Sequence, residues 1–442
     1  MKNSNQILTN QILTNVIRKI TPPHEEKIAL DKALLKFEAK LKPKLKKYGA
    51  KIFIGGSLAK QTLVKRDTSY DIDIFILFPY NKFSKKSSEL SNLLEKALKS
   101  AKIRYITLKG SRNYFQIKFK NLTLELIPIL AIKKASEALN ITDISPLHVF
   151  YVLSKTKKNK KLANEIKLAK AFCYASDCYG AESYIRGFSG YALEILVSYY
   201  GSFLKFLKAA TKWKIPTSLE TRIVIDSKHY YKSKRQLLEE MNEAKLHSPI
   251  ILVDPVQKER NACAALSFET LKKFIEAAKK FLAHPSESYF FKEKIDINNL
   301  KTRAKKTKAK FITLKALSFK NKVDVAGAKL KKLYEFLYFL LKKNGFKILK
   351  GEFEFNEKTF IATFYFILKE PSKEYIVKGP PLGVQEKYLK AFKKKWPKAF
   401  IKNNQLWAKS KRDITNIHEL LKSVSQAQLK EMGIRKIKEI KS

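Results

Sequence analysis

Two segments of the chain carry side chains suited to phosphoryl transfer. The first is Gly55-Gly56-Ser57-Leu58-Ala59-Lys60, and the second is Asp71-Ile72-Asp73-Ile74-Phe75-Ile76-Leu77-Phe78. Glycines have no Cβ, so backbone N–H groups there can approach a phosphate. Ser57 adds a hydroxyl and Lys60 a charge, and the segment reads as a triphosphate cradle. Alternate residues of a strand share a face and stand about 6.5–7 Å apart, so Asp71 and Asp73 can aim both carboxylates at one spot. Mg²⁺ suits such a pair, taking one or two carboxylates together with substrate phosphates. A bare Asp-x-Asp is more often a solvated strand start with Ile72 and Ile74 in the core; the cradle upstream favours the metal. Further on, Leu122-Thr123-Leu124-Glu125-Leu126-Ile127-Pro128 sets an acid in an apolar strand. Glu125 is then either a third carboxylate for a two-metal site or a residue on the exposed face of an edge strand.

These side chains need a sheet and covering helices to position them. From 23 to 47, Ile28, Leu30, Ala33, Leu34, Phe37, Leu41 and Leu45 recur at helical steps. Strands are predicted over 51–54, 70–78, 114–119 and 122–130, with a helix at about 87–101. Tandem QILTN pentapeptides at 6–10 and 11–15 read as an extension of the first helix. Together these form a mixed α/β unit, 1–144. Between 145 and 290 the periodicity is almost wholly helical, punctuated by Pro216, Pro249, Pro255 and Pro285. Beyond 301–310, where six of ten residues are Lys or Arg, the pattern is mixed again. Helices are predicted at 328–343 and 385–395, and strands near 346–355, 359–369 and 400–408, giving a third region, 291–442. The fold class is α+β and multidomain.

A chain of 442 residues exceeds what one core usually organises, so two to four domains are expected. With 45% hydrophobic and 12% aromatic residues it is neither generally disordered nor a lone binding module. Ninety Lys and Arg against 40 Asp and Glu leave +50, a self-repulsion that a polyanion would offset, which makes nucleic acid the first partner to consider. A basic run such as 155–161 is ordinarily a solvated face; the recurrence of such runs in all three regions is the signal. Cys173, Cys178 and Cys263 show no CxxC or His pairing, so neither a disulfide framework nor a zinc site is expected, only buried thiols in a reducing compartment. The N-terminus has no apolar leader. The most apolar long stretch, 191–210, is interrupted by Glu194, Lys205 and Lys208 and falls short of the roughly 20 unbroken residues a span needs. A cytoplasmic protein with no membrane partner is expected.

Gly55-Gly56-Ser57, Asp71-x-Asp73-x-Phe75 and an acid in a strand ending Ile127-Pro128 together resemble the DNA polymerase β-like nucleotidyltransferase superfamily. Downstream, further blocks resemble the archaeal, class I CCA-adding enzymes: Ser145 to His148, Asn164-Glu165 to Lys170, Tyr179 to Glu182, Arg186 to Tyr191 with Glu194, Asp254-Pro255-Val256 with Arg260-Asn261, and Gly379-Pro380-Pro381. The resemblance spans nearly the whole chain, and the Arg186 and Asp254 blocks are more specific than Asp-x-Asp. It implies a polymerase β-like mixed-sheet palm (1–144), a helical neck that binds nucleotide (145–290), and an α+β body and tail that bind tRNA (291–442). It further implies that Asp71, Asp73 and Glu125 hold two Mg²⁺ ions, that Ser57 and Lys60 take the triphosphate, and that His148, Lys170 and Tyr179 meet the incoming ATP or CTP. Each of these has a plainer alternative: a surface His, one of many basic residues, a Tyr closing a helix. Arg260 is left between reading nucleobase edges, touching a tRNA phosphate and forming a structural ion pair. Glu125 stands where the family has Asp, and its extra methylene lengthens the reach by about 1.5 Å.

The implied activity is template-independent addition and repair of the 3′-terminal CCA of tRNA from CTP and ATP, with release of pyrophosphate. The implied partner is the acceptor and TΨC arms of tRNA, and a homodimer is one admissible assembly. Two other readings stay open on the sequence: a poly(A) polymerase-like RNA 3′-nucleotidyltransferase, and a catalytically silent RNA-binding protein on the same fold.

Overall fold

The computed structural model describes residues 2–65, 70–119, 122–319 and 322–440. The chain forms two compact units, Met1–Glu293 and Lys294–Ser442.

Unit one contains a five-stranded mixed sheet. Its strands are β1 (Lys51–Ile54), β2 (Tyr70–Pro79), β3 (Ile106–Leu108), β4 (Tyr114–Phe119) and β5 (Leu122–Ala131), in the order β1-β2-β5-β4-β3. Only the β2/β5 pair is parallel. Alternation divides β2 between the two faces of the sheet. Ile72, Ile74, Ile76 and Phe78 enter a core with Leu124, Leu126 and Leu130. Helices His24–Leu45 and Leu90–Ser100 cover that face with Leu30, Leu34, Phe37 and Leu41, and with Leu90, Leu94, Ala97 and Leu98. Asp71, Asp73 and Phe75 are thereby turned to the opposite face.

A second core in the same unit is helical and aromatic. Phe172, on helix Leu162–Ala175, meets Phe203, Phe281 and Phe290 at 5.5–5.8 Å between ring centroids. Serine caps start the neighbouring helices: Ser189 accepts from the Ala192 N–H, Ser202 from Lys205 and Ser267 from Thr270. All three cysteines are buried in this core. Two sequence expectations differ here. The N-terminal segment is not an extension of the next helix, because Pro22 and Pro23 separate Lys2–Ile20 from His24–Leu45. Its Leu13, Val16 and Ile20 pack into the helical core instead of the sheet. The helical region also contains a two-stranded parallel ribbon of β6 (Ile223–Ile225) and β7 (Ile250–Leu252).

A buried ion pair ties the turn just before helix Ser145–Lys158 to the sheet. Asp143, with no exposure, pairs with Arg112 and accepts the N–H groups of Leu130 (3.0 Å), Leu139 (3.2 Å) and Asn140 (2.9 Å). Asp143→Ala is expected to destabilise the chain by about 3–5 kcal/mol, since it leaves a buried guanidinium and three N–H groups unmatched. A chemical-denaturation midpoint equal to the parent's would contradict this.

Unit two has a four-stranded antiparallel sheet of β8 (Lys310–Ser318), β9 (Lys347–Asn356), β10 (Ile361–Lys369) and β14 (Ile434–Ile440). Helix Val323–Lys343 packs on it through Leu330, Leu333, Leu337 and Leu341. A three-stranded sheet joins β11 (Glu374–Pro381), β12 (Phe400–Lys402) and β13 (Gln405–Lys411). The strand expected near 400–408 is therefore a hairpin, with Asn403 and Asn404 at φ 51° and 57° in its turn. Among the described residues no helix is long and apolar enough to cross a membrane.

Candidate active site

Parallel pairing of β2 and β5 places Asp73 directly opposite Glu125, and Asp71 opposite Thr123. The acids thus share one face: Asp71 exposed, Asp73 and Glu125 half-buried. On the other side of Glu125, Gln116 of β4 donates to Oε1 at 3.3 Å. Burial, and then the charge of Asp71, push the Asp73 carboxyl above the ordinary range against the pull of Lys60. Burial, and then the charge of Asp73, raise Glu125. A cation between them would relieve that repulsion, so the residues fit a hard divalent ion. Among the described residues no three acidic, His or Cys side chains are drawn into a closed cage. That suits an ion whose remaining ligands come from substrate phosphates and water.

The glycine loop lies against these acids. Gly55 donates its N–H to the Asp73 carbonyl at 2.8 Å. Gly56 adopts φ +58°, and a Cβ there would fall 1.9 Å from Asp73 Oδ2. Only glycine meets both demands. Ser57 follows in the short helix Gly56–Ala59, half-buried.

Lys60 and Lys170, expected at the nucleotide, lie together in a buried cluster around Glu194, which has no exposed surface. Lys60 Nζ donates to Glu194 Oε2 at 2.6 Å and Lys170 Nζ to Oε1 at 2.7 Å. Thr62 donates its hydroxyl to Oε1 (2.9 Å) and accepts from Lys170 (2.9 Å). Burial alone would raise Glu194, but Lys170 and Lys60 outweigh it and hold the carboxyl at about 2.

His148 and Arg260 meet at a second buried acid, Asp254. His148 Nε2 lies 3.0 Å from Oδ2, Arg260 donates to the same oxygen at 2.6 Å, and Tyr191 donates its hydroxyl to Oδ1 at 3.0 Å. His148 stacks on Tyr191 with centroids 4.1 Å apart. Burial lowers the His148 pKa despite Asp254, so the ring favours its neutral form. Of the three roles left open for Arg260, the ion pair is the one displayed; the side chain stays about a quarter exposed. Tyr179 sits beside the start of helix Gly190–Tyr200, where a Cβ on Gly190 would fall 2.9 Å from its hydroxyl and 3.8 Å from Lys170 Nζ. The two networks touch through Tyr191, with Lys60 Nζ 5.9 Å and the Arg260 guanidinium 5.7 Å from its ring centre.

Glu194, Tyr191 and Asp254 stand in the sequence only within longer motif blocks. An acid inside the apolar stretch 191–210 is nevertheless a sign that buried cations must meet it. Thr62 and Gln116 carry no such sign.

Residues 164–291 match the family described as tRNA nucleotidyltransferase, second domain, and residues 313–442 the family described as CCA-adding enzyme, C-terminal domain. A CCA-adding enzyme of Nanoarchaeum equitans is 35% identical over 80% of this chain and 81% of its own length. The chain belongs to the CCA-adding enzyme family. A CCA-adding enzyme of Pyrobaculum islandicum is 27% identical over 93% of both chains, and that of Methanocaldococcus jannaschii 28% identical over 87% of this chain and 83% of its own. Among solved structures, the Cid1 RNA terminal uridylyl transferase covers 66% of this chain and 100% of its own at 14% identity, with a TM-score of 0.51. That likeness concerns the fold alone. The C-terminal match at 313–442 is to a domain named for CCA-adding enzymes.

Proposed function

We propose that the protein adds and restores the 3′-terminal CCA of tRNA in the cytoplasm, joining C, C and A from CTP and ATP without a template strand and releasing pyrophosphate. The observation that carries this is the palm's carboxylate face in a chain whose later regions match CCA-adding enzyme domains. Residues 1–144 act as the palm, 145–290 as the neck that holds the nucleotide, and 291–442 as the body and tail that grip the acceptor and TΨC arms.

In this reading the 3′-hydroxyl oxygen of tRNA attacks the α-phosphorus, the bond to the bridging oxygen breaks, and pyrophosphate leaves. Asp71, Asp73 and Glu125 would hold two Mg²⁺ ions, which supply neutralising charge to the triphosphate and acidify the attacking hydroxyl. The open backbone at Gly56, the Ser57 hydroxyl and the Lys60 ammonium bind the triphosphate. His148, Lys170 and Tyr179 line the nucleotide's place in the neck. Arg260, fixed by Asp254 through one nitrogen, keeps further N–H donors for the base edges of cytosine and adenine. Catalysis is then mostly positioning and charge stabilisation.

Purified protein given tRNA lacking CCA, tRNA ending in C or CC, and an unstructured RNA, each with single nucleotides, is expected to add C, C and A in order to the tRNAs alone. Repeated A addition to the unstructured RNA would instead favour a poly(A) polymerase. No addition to any RNA would favour a silent binder. The net charge of +50 further implies binding driven by counterion release. The logarithm of the tRNA affinity is expected to fall linearly with the logarithm of salt concentration, by about 0.7–0.9 for each phosphate neutralised. Lys-to-Gln changes across 301–310 are expected to flatten that slope; binding indifferent to salt would overturn the charge argument.

A further inference from the structure

The buried acid of the neck helix Gly190–Tyr200 has no counterpart in the chemistry just described. Glu194 lies between one lysine of the palm loop and one of the neck, touches neither the carboxylate face nor the Asp254 network, and is wholly shielded from solvent. A structural ion pair needs one partner, and this acid has two cations and a hydroxyl.

The donors can be counted. Each lysine ammonium has three N–H groups and no acceptor. Lys170 directs its three to Glu194 Oε1, the Thr62 hydroxyl and, at 3.4 Å, the Thr62 carbonyl. Lys60 gives one to Glu194 Oε2. Among the described residues it makes no further hydrogen bond, although it is only 8% exposed. Its remaining contacts are electrostatic: the Tyr191 ring at 5.9 Å, and Asp73, whose carboxyl it pulls down. Within the cluster itself two buried cations face one buried anion. Without Glu194, two buried ammonium groups beside Thr62 would repel each other. Glu194 holds both side chains in place and leaves the Lys60 donors for an anion.

We infer that Glu194 is a positioning residue for the triphosphate common to CTP and ATP, acting through Lys60, with Lys170 and Thr62 fixing its other oxygen, and without touching the nucleotide. This rests on the triphosphate assignment made above. Because the triphosphate is shared, the effect of losing Glu194 is blind to the base. Because the cluster pins loop 60–62 of the palm to the neck helices, it also fixes the loop that carries Ser57.

The test is Glu194→Gln, which keeps the shape and removes the charge. Binding of CTP, ATP and inorganic tripolyphosphate to the full chain, each with Mg²⁺, is measured by calorimetry. All three are expected to weaken alike by about ten- to a hundredfold, the scale of a lost charge-assisted hydrogen bond. The KM for both nucleotides is expected to rise by a similar factor while kcat falls far less, and tRNA binding to change by less than about twofold. A folded Glu194→Gln protein with parental tripolyphosphate affinity, or a loss confined to one nucleotide, overturns the inference. If that variant does not fold, Thr62→Val removes the hydroxyl that donates to Glu194 and accepts from Lys170, and a uniform loss of about tenfold is expected from these charge-assisted hydrogen bonds; unchanged affinity again overturns it. Tripolyphosphate binding requires no tRNA, so failure of the parent chain to extend tRNA would count against the CCA reading alone.

Discussion

Asp73→Asn is expected to abolish C and A addition alike, by at least about a thousandfold in single-turnover rate, and yet to leave the protein no less stable than the parent. The two outcomes share one cause. Asp73 is a half-buried acid facing Glu125 across the parallel pair, and its carboxyl lies above the ordinary range in the folded chain. The unfolded chain ionises it more readily, so the neutral form's contribution to stability is lost as pH rises from the ordinary carboxylate value through the higher folded one. At neutral pH, without added Mg²⁺, the ionised group works against folding, and an uncharged isostere removes that opposition. Thermal midpoints and rates measured side by side decide the matter. A near-parental rate would refute the assignment of Asp73 to the metal site, and a clearly lower midpoint would refute the electrostatic account. On the proposal that residues 291–442 grip tRNA, its affinity is expected to shift by no more than a few fold, about 1 kcal/mol.

Glu125→Gln is expected to be the next most damaging change, costing several orders of magnitude, on the order of 10³, because it takes charge away where a proton is lost. Glu125→Asp keeps the charge and is expected to lose only about ten- to a hundredfold, the scale on which a displacement of about 1 Å is felt. The register explains the milder effect. Glu125 is held opposite Asp73 by β2 on one side and by Gln116 of β4 on the other, and the shorter side chain would withdraw from both. Raising Mg²⁺ should recover part of the Asp variant's rate and little of the Gln variant's. Parental activity in Glu125→Gln would mean that the third carboxylate is another residue.

Local patterns in the sequence already contain the strands of the five-stranded sheet that carry the acids. The alternation in 70–78 and 122–130 marks strands, and the two-residue spacing puts Asp71 and Asp73 on one face. The parallel register that opposes Asp73 to Glu125 is a long-range fact that no window of sequence holds. The same applies to Lys60 and Lys170, separated from Glu194 by 134 and 24 positions and joined to it only by tertiary packing. In the second unit the run of lysines across 301–310 hides β8, although Ile312, Leu314 and Ala316 alternate as a half-buried strand should. The tail hairpin was masked for a different reason, since an Asn-Asn turn inside an apolar segment interrupts the strand without the glycine that would advertise it.

The three cysteines bear on how the protein can be handled. Burial pushes the Cys178 thiol up to about 12 and raises Cys173 and Cys263 as well, so almost no thiolate is present at neutral pH. Maleimide and iodoacetamide should therefore pass over the native chain. Cysteines introduced at exposed Ser100 of unit one and Lys394 of unit two would then be the reactive thiols, ready for a pair of fluorophores with every native cysteine in place. Energy transfer between those dyes would follow the separation of the two units through each of three nucleotide additions on a single tRNA.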